Sequence, residues 1–165
     1  MSIENVISFK AVGINREYSD EMKKTGLDLK PSDLLSFKAL GITPGYIKEI
    51  RDAGITGLNP NNLAALKSQG VDADFIKECR SLGFKNPGPG DLVKLKVFNL
   101  KREYVDMIRN EGYKDISLEQ ILEFRIMNID RDFIKKAREF NDGVLPDPKN
   151  LIRLKASMNK PRAEK

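Results

Sequence analysis

The side chains in this chain that could bind or react recur in fixed columns. A basic residue stands at Lys10, Lys38, Lys67, Lys96, Arg125 and Lys155, at intervals of 28, 29, 29, 29 and 30. A second basic column runs through Lys23, Arg51, Arg80, Arg109 and Arg138, and an aromatic one through Tyr18, Tyr46, Phe75, Tyr104 and Phe133. A row of guanidinium groups suits an acidic peptide or a phosphate backbone, because the planar fork matches carboxylate and phosphate oxygens. Arg51, Arg80, Arg109 and Arg138 are therefore the candidate partner-binding residues. Each also stands near an expected helix end, where a cation offsets the helix dipole. The rings would suit base stacking. They lie one helical turn from Met22, Ile50, Cys79, Ile108 and Ala137, which reads as core packing instead. On a helical projection Lys67 falls between Leu63, Ala64 and Leu66, inside the apolar arc. Its ammonium must snorkel, or donate to an acid or to the open carbonyls of a neighbouring helix.

Other chemistry finds no support. The chain has no histidine and one cysteine, Cys79, so a disulfide framework and the usual zinc patterns are excluded. Cys79 has no imidazole base to activate it and shares its column with isoleucine and methionine. Glycines are isolated rather than grouped into a phosphate loop, and no carboxylate pair stands out for acid–base work. The expectation is a protein that is not an enzyme and takes no cofactor or metal. The formal net charge of +5 is mild, and Arg153, Lys155, Lys160, Arg162 and Lys165 against Glu164 contribute to it. No apolar run approaches the roughly 20 residues that cross a bilayer, and the start lacks the basic-then-apolar order of a secretory signal. A cytoplasmic location is expected.

The elements that must position these columns are repeats. In Asn59–Phe84, Asn59 caps a helix with Pro60 at its first position and Asn62 reaching back. Gly70 ends that helix, Asp72 caps a second one carrying Phe75, Ile76 and Cys79, and Gly83 closes it. The third helical position recurs as Asn5, Asp33, Asn62, Asp91, Gln120 and Asn150. The turn recurs as Gly13, Gly41, Gly70, Asn99 and Asn128, and the second stop as Gly26, Gly54, Gly83, Gly112 and Asn141. Second-helix caps are Asn15, Thr43, Asp72 and Asp130, with Lys101 the exception. Helices of about ten residues are too short to stand alone, so stacked neighbours must hold them. The chain reads as an all-α solenoid of short helix–turn–helix repeats, five pairs plus a terminal capping helix. The single domain spans 1–157, with repeats at about 2–29, 30–58, 59–87, 88–116, 117–146 and a half repeat at 147–157. Residues 158–165 read as a disordered basic tail. Nothing precedes Ile3 to cover the first pair, which calls for a homodimer or an upstream domain on that face.

Gly41-Ile42-Thr43-Pro44-Gly45-Tyr46-Ile47, with its second copy Gly70-Val71-Asp72-Ala73-Asp74-Phe75-Ile76, resembles a bacterial tandem repeat of the form glycine, aliphatic, threonine, proline, any, aromatic, aliphatic. Such repeats stand beside membrane peptidases of the beta-lactam-sensing type and in regulatory proteins. The resemblance implies an interaction module in bacterial signalling or regulation, with a protein or acidic-peptide partner. No HExxH motif is present, so no catalysis carries over. A looser likeness, to the helix–hairpin–helix of DNA-repair proteins, implies a nucleic-acid-binding array as the alternative. The second glycine of that hairpin would fall at Thr43, and it is absent from every copy.

Overall fold

The computed structural model describes residue 7 and residues 9–158. Ile3, Asn5 and the basic residues Lys160, Arg162 and Lys165 lie outside them. All regular structure among the described residues is helical. First helices of the pairs run over Pro31–Leu40, Pro60–Ser68, Pro89–Val97, Leu118–Ile126 and Pro148–Met158. Second helices run over Arg16–Lys24, Pro44–Asp52, Ala73–Ser81, Arg102–Asn110 and Arg131–Phe140.

The starts of these helices follow from their caps. Asn15, Thr43, Asp72 and Asp130 each accept the backbone N–H three residues on, at 2.9, 3.1, 2.8 and 2.8 Å. Lys101 offers no side-chain cap. On the first helices, the recurrent third residue returns to the cap. The backbone N–H groups of Lys30, Asn59, Gly88 and Ser117 donate to Asp33, Asn62, Asp91 and Gln120 at 2.8 to 3.0 Å. Asn150 instead hydrogen-bonds the Asp147 carboxylate. These contacts satisfy donors that a helix start leaves open.

The ends are set by left-handed residues. Gly13, Gly41, Gly70, Asn99 and Asn128 have φ of 70, 68, 64, 48 and 51°. Ile42, Val71 and Ile129 then donate back to Phe37, Leu66 and Phe124 at 2.8, 2.9 and 2.9 Å, closing a Schellman turn. The second stop differs from expectation in the last pair. Asn141 has φ −111°, and the left-handed positions are Asp142 and Gly143. The helix Arg131–Phe140 runs a residue longer, and Gly143 N–H closes it by donating to the Arg138 carbonyl at 2.9 Å.

The chain divides into two compact units, Met1–Val97 and Phe98–Lys165. A stack in which each pair meets only its neighbours has no central core to draw all residues into one body. In the first unit Pro31–Leu40 packs on Pro60–Ser68, which packs on Pro89–Val97. Phe37, Ile47, Ile50, Leu63, Leu66, Ile76 and Leu92 are fully buried there. In the second unit Leu118–Ile126 packs on Pro148–Met158, around Ile108, Ile121, Phe124, Ile134 and Leu151.

A Cβ built at Gly70 meets nothing within 4 Å, so any cost of substitution there is backbone strain alone. Gly70→Val should lower stability by about 1 kcal/mol or more, whereas Gly70→Asn should cost a few tenths, as Asn99 and Asn128 hold the same conformation. Urea midpoints followed by circular dichroism decide it. Equal losses for the two variants would place the cost in packing instead.

Candidate functional site

The aromatic column and the first basic column are two sides of one ladder. The Lys38 ammonium sits 4.7 Å from the Tyr18 ring centroid, Lys67 4.5 Å from Tyr46, and Lys96 4.3 Å from Phe75. In the second unit Arg125 lies 5.3 Å from Tyr104 and Lys155 4.4 Å from Phe133. Each base belongs to the first helix of one pair and each ring to the second helix of the pair before it. Lys67 does point into the apolar arc as expected. Its partner is a ring face rather than an acid or an open carbonyl, and a ring face attracts a cation without burying a counter-charge.

The tyrosines are tied at their other end as well. The hydroxyls of Tyr18, Tyr46 and Tyr104 donate to the carbonyls of Ile42, Val71 and Ile129 at 3.0, 2.9 and 2.8 Å. Those acceptors are the residues that close the Schellman turns of the following pair. Burial pushes the Tyr18 and Tyr113 phenols up to about 12, and raises Tyr46 and Tyr104 in the same direction.

Of the candidate partner-binding residues, Arg51 donates to the Thr25 carbonyl at 2.7 Å and Arg138 to the Glu111 carbonyl at 2.6 Å. Both acceptors are C-cap residues of the preceding second helix. Arg80 lies against Gly54, where an added Cβ would come within 3.0 Å of its Nη2. Arg109 is half-buried. Arg51 and Arg138 thus brace the carbonyl end of the preceding second helix, rather than that of their own helix, where a cation offsets the helix dipole. A guanidinium has five N–H donors, so one such bond leaves others for a ligand.

Two open grooves in the first unit use these arginines. One, of about 680 Å³, lies between Arg16–Lys24 and Pro44–Asp52 and is lined by Lys24, Lys48 and Arg51. The next, of about 500 Å³, lies between Pro44–Asp52 and Ala73–Ser81 and is lined by Lys48, Lys77 and Arg80. The grooves share Gly45, Lys48 and Asp52, so they adjoin. Acids line them too, Glu21 and Asp52 in the first and Glu49 and Asp52 in the second: Glu49 accepts the Ala73 N–H at 2.9 Å, Asp52 pairs with Lys48 at 2.5 Å, and Lys77 pairs with Asp74 at 3.1 Å. Sequence reasoning passed over Lys48 and Lys77. Their column also holds Asp20 and Asp106, so it shows no conserved charge from pair to pair.

Cys79 is buried, and burial with the neighbouring Glu78 pushes its thiol up to about 11, so it packs as a small apolar side chain. Among the described residues no group of three or more His, Cys, Asp or Glu is placed to hold a metal ion. No helix among them is long and apolar enough to cross a membrane. Comparison with family models, curated proteins and solved structures finds no match.

The buried phenols give the fold a pH dependence. A phenol ionises near 10 in the unfolded chain but only near 12 at Tyr18 and Tyr113. The stabilising difference is complete below about pH 10 and is lost as pH rises towards 12. The urea midpoint should hold steady from about pH 7 to 9 and fall above about 10. A midpoint unchanged at about pH 12 would contradict the buried-phenol account.

Proposed function

We propose that the chain is a non-catalytic interaction scaffold whose second-helix face holds an extended acidic polypeptide. The observation that carries this reading is the pair of adjoining grooves in one register, each offering a lysine and an arginine from equivalent positions: Lys48 with Arg51, then Lys77 with Arg80. A stack of like units repeats its surface at a fixed step, which suits an extended ligand read at regular intervals. Arg109 and Arg138 belong to the same column and extend the candidate set into the second unit. A role in bacterial signalling or regulation fits the resemblance of the Gly41–Ile47 segment.

The nucleic-acid alternative is weaker on physical grounds. The helix starts that would cradle phosphate are capped by Thr43, Asp72 and Asp130, and two of these are carboxylates. A carboxylate at the cap both consumes the backbone N–H and repels an anion.

A fluorescent poly-glutamate peptide of about twenty residues should bind the chain at low salt and be released as salt rises. Lys48→Glu combined with Lys77→Glu should weaken that binding by about tenfold or more while the helical spectrum stays parental, since both side chains are exposed. Binding that ignores these changes would remove the grooves from the site. Tighter binding of single-stranded DNA of equal charge would favour the nucleic-acid reading.

A further inference from the structure

The charges of the two adjoining grooves narrow the ligand further. In the first unit a lysine accompanies the second-helix arginine at two successive positions, Lys48 with Arg51 and Lys77 with Arg80. One pair earlier the lysine position is Asp20, which holds Lys23 in an ion pair at 3.3 Å. The track therefore has two basic stations there, one helix pair apart. Glu21 and Asp52 line the first groove beside them, and Glu49 and Asp52 line the second. An unbroken acidic run would set carboxylates against these carboxylates. Two separated acids meet the two stations without that repulsion. The ion pairs at the stations, Lys48 with Asp52 and Lys77 with Asp74, are exposed, so exchanging one carboxylate for another costs little.

The step between stations follows from the side chains that span it. Arg51 reaches the Thr25 carbonyl at the end of Arg16–Lys24, at 2.7 Å. Glu49 reaches the first N–H of Ala73–Ser81, at 2.9 Å. Neighbouring second helices thus stand one side chain apart, near the separation of about 8 to 10 Å at which helices pack. A polyproline II chain rises about 3.1 Å per residue and turns every third, so residues three apart share a face about 9 Å from each other. A β-strand would turn its third residue to the opposite face. A strand also needs a sheet edge to pair with, and all regular structure among the described residues is helical. Polyproline II keeps no internal hydrogen bonds and needs no such edge.

Resting on the reading of the chain as a scaffold for an acidic polypeptide, we propose that its ligand is a polyproline II segment with two carboxylates three residues apart. One carboxylate meets Lys48 and Arg51, the other meets Lys77 and Arg80, and the two residues between them are uncharged.

The probes are three capped peptides in which two glutamates are separated by one, two or three prolines, with prolines at both flanks. Each is titrated into the full chain at low salt, with backbone amide shifts as the readout. The two-proline peptide should bind about fivefold or more tighter than either of the others. The one-proline peptide has the denser charge, so unspecific attraction would rank it first. Lys77→Gln, at an exposed position, should bring the two-proline peptide level with the others while the helical spectrum stays parental. Equal affinities, or a different peptide binding tightest, would overturn the spacing and leave the acidic-peptide reading standing. A two-proline preference that survives Lys77→Gln would also overturn it, since the second station would then go unread. Failure of all three peptides while poly-glutamate binds would overturn the spacing alone, and failure of poly-glutamate as well would remove both.

Discussion

A helix of nine residues cannot hold itself in water, and besides its buried apolar side chains the contact that ties a first helix here to the preceding pair is a cation laid on a ring. Lys67 over Tyr46 is the central instance, at 4.5 Å. The contact solves a particular problem. A basic residue in the apolar arc of a short helix would ordinarily need a buried acid, and pairing two charges in the interior recovers little after desolvation. A ring face supplies the attraction while remaining apolar, so the same side chains serve both the core and the charge.

Other features follow from that rung. The ring must be held in place, and the tyrosine hydroxyl does so by donating to the carbonyl that closes the next pair's turn, as from Tyr46 to Val71 at 2.9 Å. The turn must present that carbonyl, which requires the left-handed residue just before it, Gly70 at φ 64°. Arg51 works in the opposite direction, bracing the carbonyl end of the previous second helix at Thr25. Successive pairs within a unit are therefore joined both forwards and backwards. Phe75 and Phe133 have no hydroxyl and keep only the ring–cation half of the joint.

Local features were legible in the sequence because their causes are local. Asn59 with Asn62, Pro60 and Gly70 each act within a few residues, and the helix they delimit forms where expected. The use of asparagine at 99 and 128 was legible for the same reason. Asn141 was not, because the choice between stopping there or one residue later depends on Gly143 reaching Arg138. The ladder was half legible. Both columns stand out by period, but a period does not say that Lys67 faces Tyr46, 21 residues earlier, rather than an acid. That pairing depends on how one pair stacks on the next. The grooves were hidden for a related reason, since Lys48 comes to line one groove with Lys77 and Arg80 only when second helices lie side by side.

A double-mutant cycle on the Lys67–Tyr46 rung tests the account most directly. Lys67→Met, Tyr46→Leu and the double variant would be unfolded in urea, and the cycle cancels the hydroxyl and packing losses that each single change carries. A coupling of about 0.5 to 1 kcal/mol is expected for a partly buried cation on a ring, so that Tyr46→Leu costs less by that amount once Lys67 is already methionine. Additivity within about 0.3 kcal/mol would show that ring and cation do not interact, and the pairs would then be held by apolar packing alone.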